Sequence, residues 1–211
     1  MDLNVNNNIN VKGDSSEFFF SAKAETAKES VIEKKWLSFV AGRKSDFEFI
    51  YQSYHQHLFN YGMHLCSDRE LVKDCIQDAF VTLVKNKNDI KKAASIKFYL
   101  FKCFKRKIIN SIKKKRDLTL HQADVSRDNF MLGVTNQFHE IEETLSADLK
   151  KQLKDTINAL PNAQREAIIL YFYEGMDYKQ IAVLMNMTRV KSARALIYRA
   201  LSSISQKLNP A

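Results

Sequence analysis

Between Leu71 and Val84 the apolar residues fall in two adjacent rows. One is Leu71, Cys75, Ala79 and Leu83; the other is Val72, Ile76, Phe80 and Val84. Both rows step by four, which on a helix makes one broad buried stripe. Ser67 or Asp68 is expected to cap this helix, which runs to about Lys85. The neighbouring stretches carry the same period. From Ser30, residues Val31, Trp36, Leu37 and Val40 can share a face, and Gly42 ends the helix. Asp46–Cys66 reads as a helix rich in aromatics: Phe47, Phe49, Tyr51, Tyr54, Phe59 and Tyr61. Ser95–Arg116 places Leu100, Phe104, Ile108 and Ile112 on one side. Only five Gly and two Pro occur in 211 residues, so little interrupts these helices. An all-α fold is expected.

The pattern then breaks. Asp117–Asp148 holds seven acids and one strong base, Arg127, and periodicity is lost until about Ile141. The segment 117–140 is read as a linker between two small helical domains, 30–116 and 141–208, behind a polar Asn-rich tail at 1–29. Phe18, Phe19 and Phe20 in the tail have no assigned role. After the linker, Leu145, Leu149, Leu153 and Ile157 mark a helix through Ala159. Pro161 stands near the start of the next, Ala163–Glu174, which Gly175 ends.

The last segment, from Tyr178, has the pattern of a helix-turn-helix. Ile181, Ala182 and Met185 face inward from a short first helix, Asn186 and Met187 form the turn, and Thr188 is the expected N-cap. The second helix buries Val190, Ala193, Leu196, Ile197 and Leu201. Its other face shows Arg189, Lys191, Ser192, Arg194, Tyr198 and Arg199. From Tyr178 onward there are six Lys or Arg and no acid. A helix that enters the major groove needs cations for phosphates and side chains near its N-terminus for base edges. The competing reading is a helical hairpin with a solvated basic face.

Charge points the same way. The formal net charge is +9, which suits a polyanionic partner. From Lys85 to Arg116 thirteen Lys or Arg face a single acid, Asp89, with Phe98, Tyr99, Phe101 and Phe104 interleaved. Cations for phosphates and aromatic faces for unpaired bases suit single-stranded DNA. Phe101 and Phe104 are read as core, and Tyr99 and the lysines as DNA-facing. The third helix instead carries an acidic row, Glu70, Asp74 and Asp78, with Gln77 beside it. It is either plain surface or a docking face for a basic partner.

Three cysteines, Cys66, Cys75 and Cys103, are odd in number and without a CxxC pair, so reduced intracellular thiols are expected. No run of about 18 apolar residues suggests a membrane span, and no signal-peptide core opens the chain. A cytoplasmic location is expected. His55-x-His57 and His64-x-Cys66 tempt a metal reading, but side chains two apart on a helix diverge. No metal, cofactor or catalytic residue is assigned, and the chain is read as a non-enzyme.

These features together resemble a bacterial RNA polymerase sigma factor of the extracytoplasmic-function group, over about Glu33 to Leu208. DRELVKDCIQDAFVTLVKN is similar to region 2.2 of that family, and SIKFYLFKCFKRKIINSIKKKR to regions 2.3 and 2.4. LPNAQREAIILYFYEGMDYKQIAVLMNMT resembles the start of region 4. Here Arg106 and Tyr99 stand where many members carry Asn and Trp. The turn stretch MNMTRVKSAR is one residue longer than in many members, which leaves the base contacts open by one position. VKSAR with IYRAL looks most like sigma factors of the Bacteroidetes type.

The resemblance implies two helical domains on a flexible tether that take core polymerase to a promoter. Glu70, Asp74, Gln77 and Asp78 would meet the clamp helices of the largest subunit, and the flap would be a further polymerase contact. Lys97, Tyr99, Lys102, Lys105, Arg106, Asn110, Lys113 and Lys114 would bind the −10 element. Arg189, Lys191, Ser192, Arg194, Ala195, Tyr198 and Arg199 would bind the −35 element. An anti-sigma factor is a frequent partner in the family, and the bound form is expected to be a monomer. The other function weighed is a stand-alone helix-turn-helix regulator, which would bind paired half-sites as a dimer.

Overall fold

The computed structural model describes residues 30–90, 95–119 and 146–208. The expectations for the tail, for Lys91 and Lys92, and for 120–145 lie outside them. Among the described residues every regular element is a helix. By backbone contacts the chain forms one unit up to Ile50 and a second from Tyr51 onward.

In the first unit a helix over 30–40, α1, leads through a turn to the start of α2, Ser45–Leu65. Ile32, Trp36, Phe39 and Val40 are buried, whereas Val31 and Leu37 are 45% and 55% exposed. The expected face therefore holds at Trp36 and Val40 and fails at Val31 and Leu37. Leu37 stands roughly 100° around the helix from Trp36, while Ile32 and Val40 lie four residues to either side of it. Gly42 ends α1 at φ 117°, a left-handed value that favours glycine. Lys35 Nζ lies 2.8 Å from Asp46 Oδ1, and this bond holds the Asp46 carboxyl below the usual range.

In the second unit, α2 packs with α3 (Arg69–Lys85) and α4 (Ile96–Thr119). Asp68 is the N-cap of α3, accepting from the Leu71 amide at 3.1 Å. Its buried stripe is Val72, Cys75, Ile76, Ala79, Phe80 and Leu83. Val84, expected in that stripe, is 36% exposed. Ser95 caps α4 rather than opening it, and α4 continues to Thr119, so Asp117 is helical and not linker. Tyr61, Phe101 and Phe104 are fully buried, with ring centroids 5.3 and 6.1 Å from Tyr61. Gly62 permits this packing. A Cβ there would sit 2.6 Å from both Phe104 Cζ and Val72 Cγ1.

After the undescribed segment, Ser146 caps α5 (Ala147–Asn158). Next comes α6 (Asn162–Ile168), which runs into a π-helical turn over Ile169–Tyr173. Gly175, at φ 59°, closes it. Then follow α7 (Tyr178–Leu184) and α8 (Val190–Leu208). Asp177 opens α7 with a capping box, accepting from the Gln180 amide while Gln180 Oε1 accepts from the Asp177 amide. Helices α5, α6 and α7 all pack on α8. Ile181, Ala182 and Leu184 fill the α7 side of that core; Ala193, Leu196, Ile197, Ala200 and Ile204 fill the α8 side. Helix α7 also packs on α4.

Candidate nucleic-acid and polymerase interfaces

Helices α7 and α8 form the expected helix-turn-helix, with Asn186 in the turn at φ 53°. Asparagine tolerates that conformation better than most residues. Three details differ from expectation. Helix α8 starts at Val190, so Arg189 and not Thr188 precedes its first residue. Val190 and Leu201 are 46% and 38% exposed, because the buried row runs through Ala193, Ala200 and Ile204 instead. Met185 is only half-buried, and Leu184 takes its place in the core.

All seven residues proposed for the −35 duplex are exposed: Arg189, Lys191, Ser192, Arg194, Ala195, Tyr198 and Arg199. Arg194 lies close to two rings. Its guanidinium carbon lies 5.9 Å from the Tyr178 ring centre and 5.6 Å from that of Tyr198. Tyr178 in turn stacks on Tyr171 at 5.1 Å with the planes 16° apart. Such contacts orient a cation without neutralising it. Arg199 folds along its own helix, donating from Nε to the Ala195 carbonyl at 3.3 Å. Tyr171 and Tyr178 were absent from the sequence-based site. Their signal was an i,i+7 pair across Gly175, which periodicity alone does not read as an arginine support.

On α4, Tyr99, Lys102, Arg106, Asn110 and Lys113 follow one another at three- or four-residue steps and share a face. Lys102, Arg106, Asn110, Lys113 and Lys114 are exposed. Tyr99 is half-buried, and its hydroxyl accepts from Asn86 Nδ2 at 3.0 Å.

Lys97 and Lys105 do not join that face. They lie in the row through Phe101 and are only 7% and 8% exposed. Lys105 Nζ is 2.5 Å from Glu166 Oε1, and the same oxygen accepts from the Tyr61 hydroxyl at 2.6 Å. Lys97 Nζ is 3.5 Å from Glu174 Oε2, which lies 2.9 Å from His57 Nδ1. The expectation that these two lysines face DNA is corrected for this conformation, in which carboxylates of α6 and its π turn occupy them. A buried charge demands such a partner, because leaving it alone costs several kcal/mol. Burial and Glu166 push the Tyr61 phenol well above its usual range.

Glu70, Asp74, Gln77 and Asp78 all face outward on α3. Glu70 pairs with Lys73 at 2.7 Å, and Asp78 lies 3.5 Å from Lys107. Val81, 49% exposed, and Val84 continue this acidic face. They are an apolar extension the sequence reading missed, although Val81 follows Gln77 by four residues. The two histidines of His55-x-His57 take separate neighbours. The His55 ring lies 5.1 Å from Tyr51, and His57 meets Glu174. Among the described residues no group of three or more His, Cys, Asp or Glu is placed to hold a metal.

Residues 50–117 match the family model of Sigma-70 region 2, and residues 150–204 that of Sigma-70, region 4. The extracytoplasmic-function (ECF) RNA polymerase sigma factor SigM of Bacillus subtilis is 24% identical over 152 residues, covering 72% of this chain and 88% of the relative. The ECF sigma-E factor of Escherichia coli K12 is 26% identical over 149 residues, covering 66% and 74%. The fold is shared with the sigma factor RpoE of Bartonella quintana, solved with the anti-sigma factor NepR. That match has a TM-score of 0.59 and 20% identity over 77% of this chain and 96% of the other. CnrH, solved with the cytosolic domain of CnrY, matches at TM-score 0.52 and 19% identity, over 83% and 96%. The chain belongs to the sigma-70 family of RNA polymerase sigma factors, in its extracytoplasmic-function group. It is a promoter-directing sigma factor. Regions 2 and 4 in that order do not favour a stand-alone helix-turn-helix regulator, which has no use for region 2.

No helix among the described residues is long and apolar enough to cross a membrane.

Proposed function

We propose that region 4 reads the −35 duplex through α8 while the exposed row of α4 captures the −10 non-template strand. The observation that carries this reading is the pair of solvent-facing basic helices, each backed by its own core. In α8, Arg194, Ala195, Tyr198 and Arg199 supply base-edge contacts, and Arg189 and Lys191 supply phosphate contacts. In α4, Lys102, Arg106, Lys113 and Lys114 anchor the backbone and Tyr99 stacks on an unpaired base. The domains are 30–116 and 141–208, joined by the linker 117–140 less its first, helical residues. Two sites on one tether make the second contact effectively intramolecular.

The acidic face of α3, with Val81, docks on the clamp helices of core polymerase, and region 4 meets the flap. The protein contributes binding energy and leaves phosphodiester chemistry to the polymerase. An anti-sigma protein is a further partner. The RpoE of Bartonella quintana was captured with one, and the faces described above are those such a protein would need to cover. Its place of work is the cytoplasm, with the polymerase. The Bacteroidetes-type lineage rests on VKSAR followed by IYRAL.

Run-off transcription with core polymerase on a genomic promoter library tests the reading. The expected result is initiation at a small promoter set sharing −10 and −35 elements. In the same assay Asp74→Lys with Asp78→Lys should lose polymerase binding by about tenfold, while −35 duplex binding persists. Unchanged polymerase affinity would reject α3 as the interface.

A further inference from the structure

Four side chains of region 2 converge on two carboxylates of region 4. Tyr61 and Lys105 meet Glu166; His57 and Lys97 meet Glu174. Glu174 is 3% exposed and the two lysines are under 10%. We propose that Glu166 and Glu174 are a built-in latch, which seats on the lysines of α4 and withholds them from nucleic acid until the two regions part. This rests on the sigma-factor reading above.

Local geometry supports a dedicated device. Glu166 and Glu174 are eight residues apart, which on a pure α-helix separates them by roughly 80°. The π turn over Ile169–Tyr173, marked by the bond from the Glu174 amide to the Ile169 carbonyl, absorbs one residue. The pair then behaves as if spaced by seven, about two full turns, and both carboxylates face one way. Lys97 and Lys105 are likewise eight apart, with the buried Phe101 between them. Carboxylates meet here the same ammonium groups that phosphates would meet on DNA, so the two occupants exclude each other. Tyr61 cannot leave the core, since it packs on Phe101 and Phe104. Region 4 is therefore the part that moves.

A closed population lowers apparent affinity in proportion to the open fraction. The full-length Glu166→Gln/Glu174→Gln variant should have a larger radius of gyration in solution scattering. It should also bind a fluorescein-labelled, mixed-sequence single-stranded 20-mer about tenfold more tightly than the unaltered chain. Asp148→Asn/Asp155→Asn makes the same charge change at exposed positions away from the lysines, and should stay within about twofold. An unchanged radius, or a gain no larger than that control, would overturn the latch. Should the double variant lose its helical circular dichroism, the charge swap decides. Glu166→Lys alone should expand the chain, and Glu166→Lys with Lys105→Glu should close it again; no re-closure overturns the proposal. Run-off transcription by the unaltered chain separates the two claims. Its absence rejects the sigma reading, whereas initiation with unresponsive latch variants rejects the latch alone.

Discussion

Helices α4 and α8 are both basic and amphipathic and both proposed to meet promoter DNA, yet the structure buries two cations of α4 and leaves those of α8 exposed. The cations of α8 stand in solvent, and Arg194 rests on tyrosine rings that leave its charge intact. Two cations of α4 are buried against carboxylates. Ion pairs of that kind add little net stability over an apolar contact, but removing one partner leaves a stranded charge. They fit a contact meant to be exclusive better than one meant simply to be strong. The helix proposed to read duplex has its cations in solvent in this conformation; the helix proposed to hold unpaired bases has Lys97 and Lys105 guarded, while its row from Lys102 to Lys113 stays exposed.

The largest expected effect that tests this contrast comes from acid. His64 lies on α2 beside a cavity of about 120 Å³ lined with Leu65, Asn162, Arg165 and Glu166. Burial first, and the Arg165 cation second, push its pKa down to about 4. Once released to water the ring returns to about 6.5. Above pH 6.5 both forms are neutral and the packed form keeps its full stability. As pH falls from 6.5 toward 4 the open or unfolded form takes up the proton first, so the packed form loses up to about 3 kcal/mol. Asp46 and Asp68, held low by Lys35 and Lys115, lose their contributions only below the usual carboxylate range, outside that window. Denaturant titrations between pH 7.5 and 4.5 should therefore show a falling limb that His64→Gln flattens. Equal slopes for the two proteins would remove His64 from the guarded side.

The next test sets the helices against each other directly. Arg194→Ala should relax preference at one −35 base pair by ~1–3 kcal/mol, the value of a base-edge contact. Lys114→Ala, in the exposed run of α4, should weaken promoter binding without changing preference and make the salt dependence shallower. Binding of a promoter-variant set at two salt concentrations checks both. If the two variants gave the same preference profile, the division into readout and anchoring would be wrong.

How much of this contrast the sequence reveals depends on which residues are asked. The broad stripe of α3 and the core roles of Phe101 and Phe104 follow from i,i+4 spacing, because burial there is a property of one helix. The helix-turn-helix was equally legible, since a short amphipathic pair with a polar turn has few other uses. Lys97 and Lys105 were not. Lysine is almost never fully buried without a partner, so a lysine-rich helix reads as exposed. Their partners lie 61 and 77 residues away, beyond any local pattern. Val31, Leu37, Val190 and Leu201 failed for a smaller reason, in that an apolar residue at the margin of a face falls on either side of it. The π turn left no local mark at all, because ILYFY reads as ordinary α-helix.

The smallest effect concerns how the unguarded reader is held. Tyr178 opens α7, and its ring lies 5.9 Å from the Arg194 guanidinium carbon while that of Tyr198 lies 5.6 Å from it. An exposed cation–π contact is worth about 0.5–1 kcal/mol, too little to hold the fold but enough to bias one arginine rotamer. Tyr178→Ala should therefore reduce discrimination at the base pair that Arg194 reads by roughly that amount, with overall affinity less affected. Tyr178→Phe keeps the ring face and should behave like the unaltered chain, although it loses the 3.4 Å hydroxyl contact to Tyr171. In an Arg194→Ala background, Tyr178→Ala should change nothing further at that base pair, since the ring acts only through the arginine. Additive losses would mean that Tyr178 touches DNA or the fold on its own account. A loss in Tyr178→Phe as large as in Tyr178→Ala would shift the role from the ring to the hydroxyl. Either result would make α8 a reader whose arginine orients itself, and the contrast with α4 would then rest on burial alone.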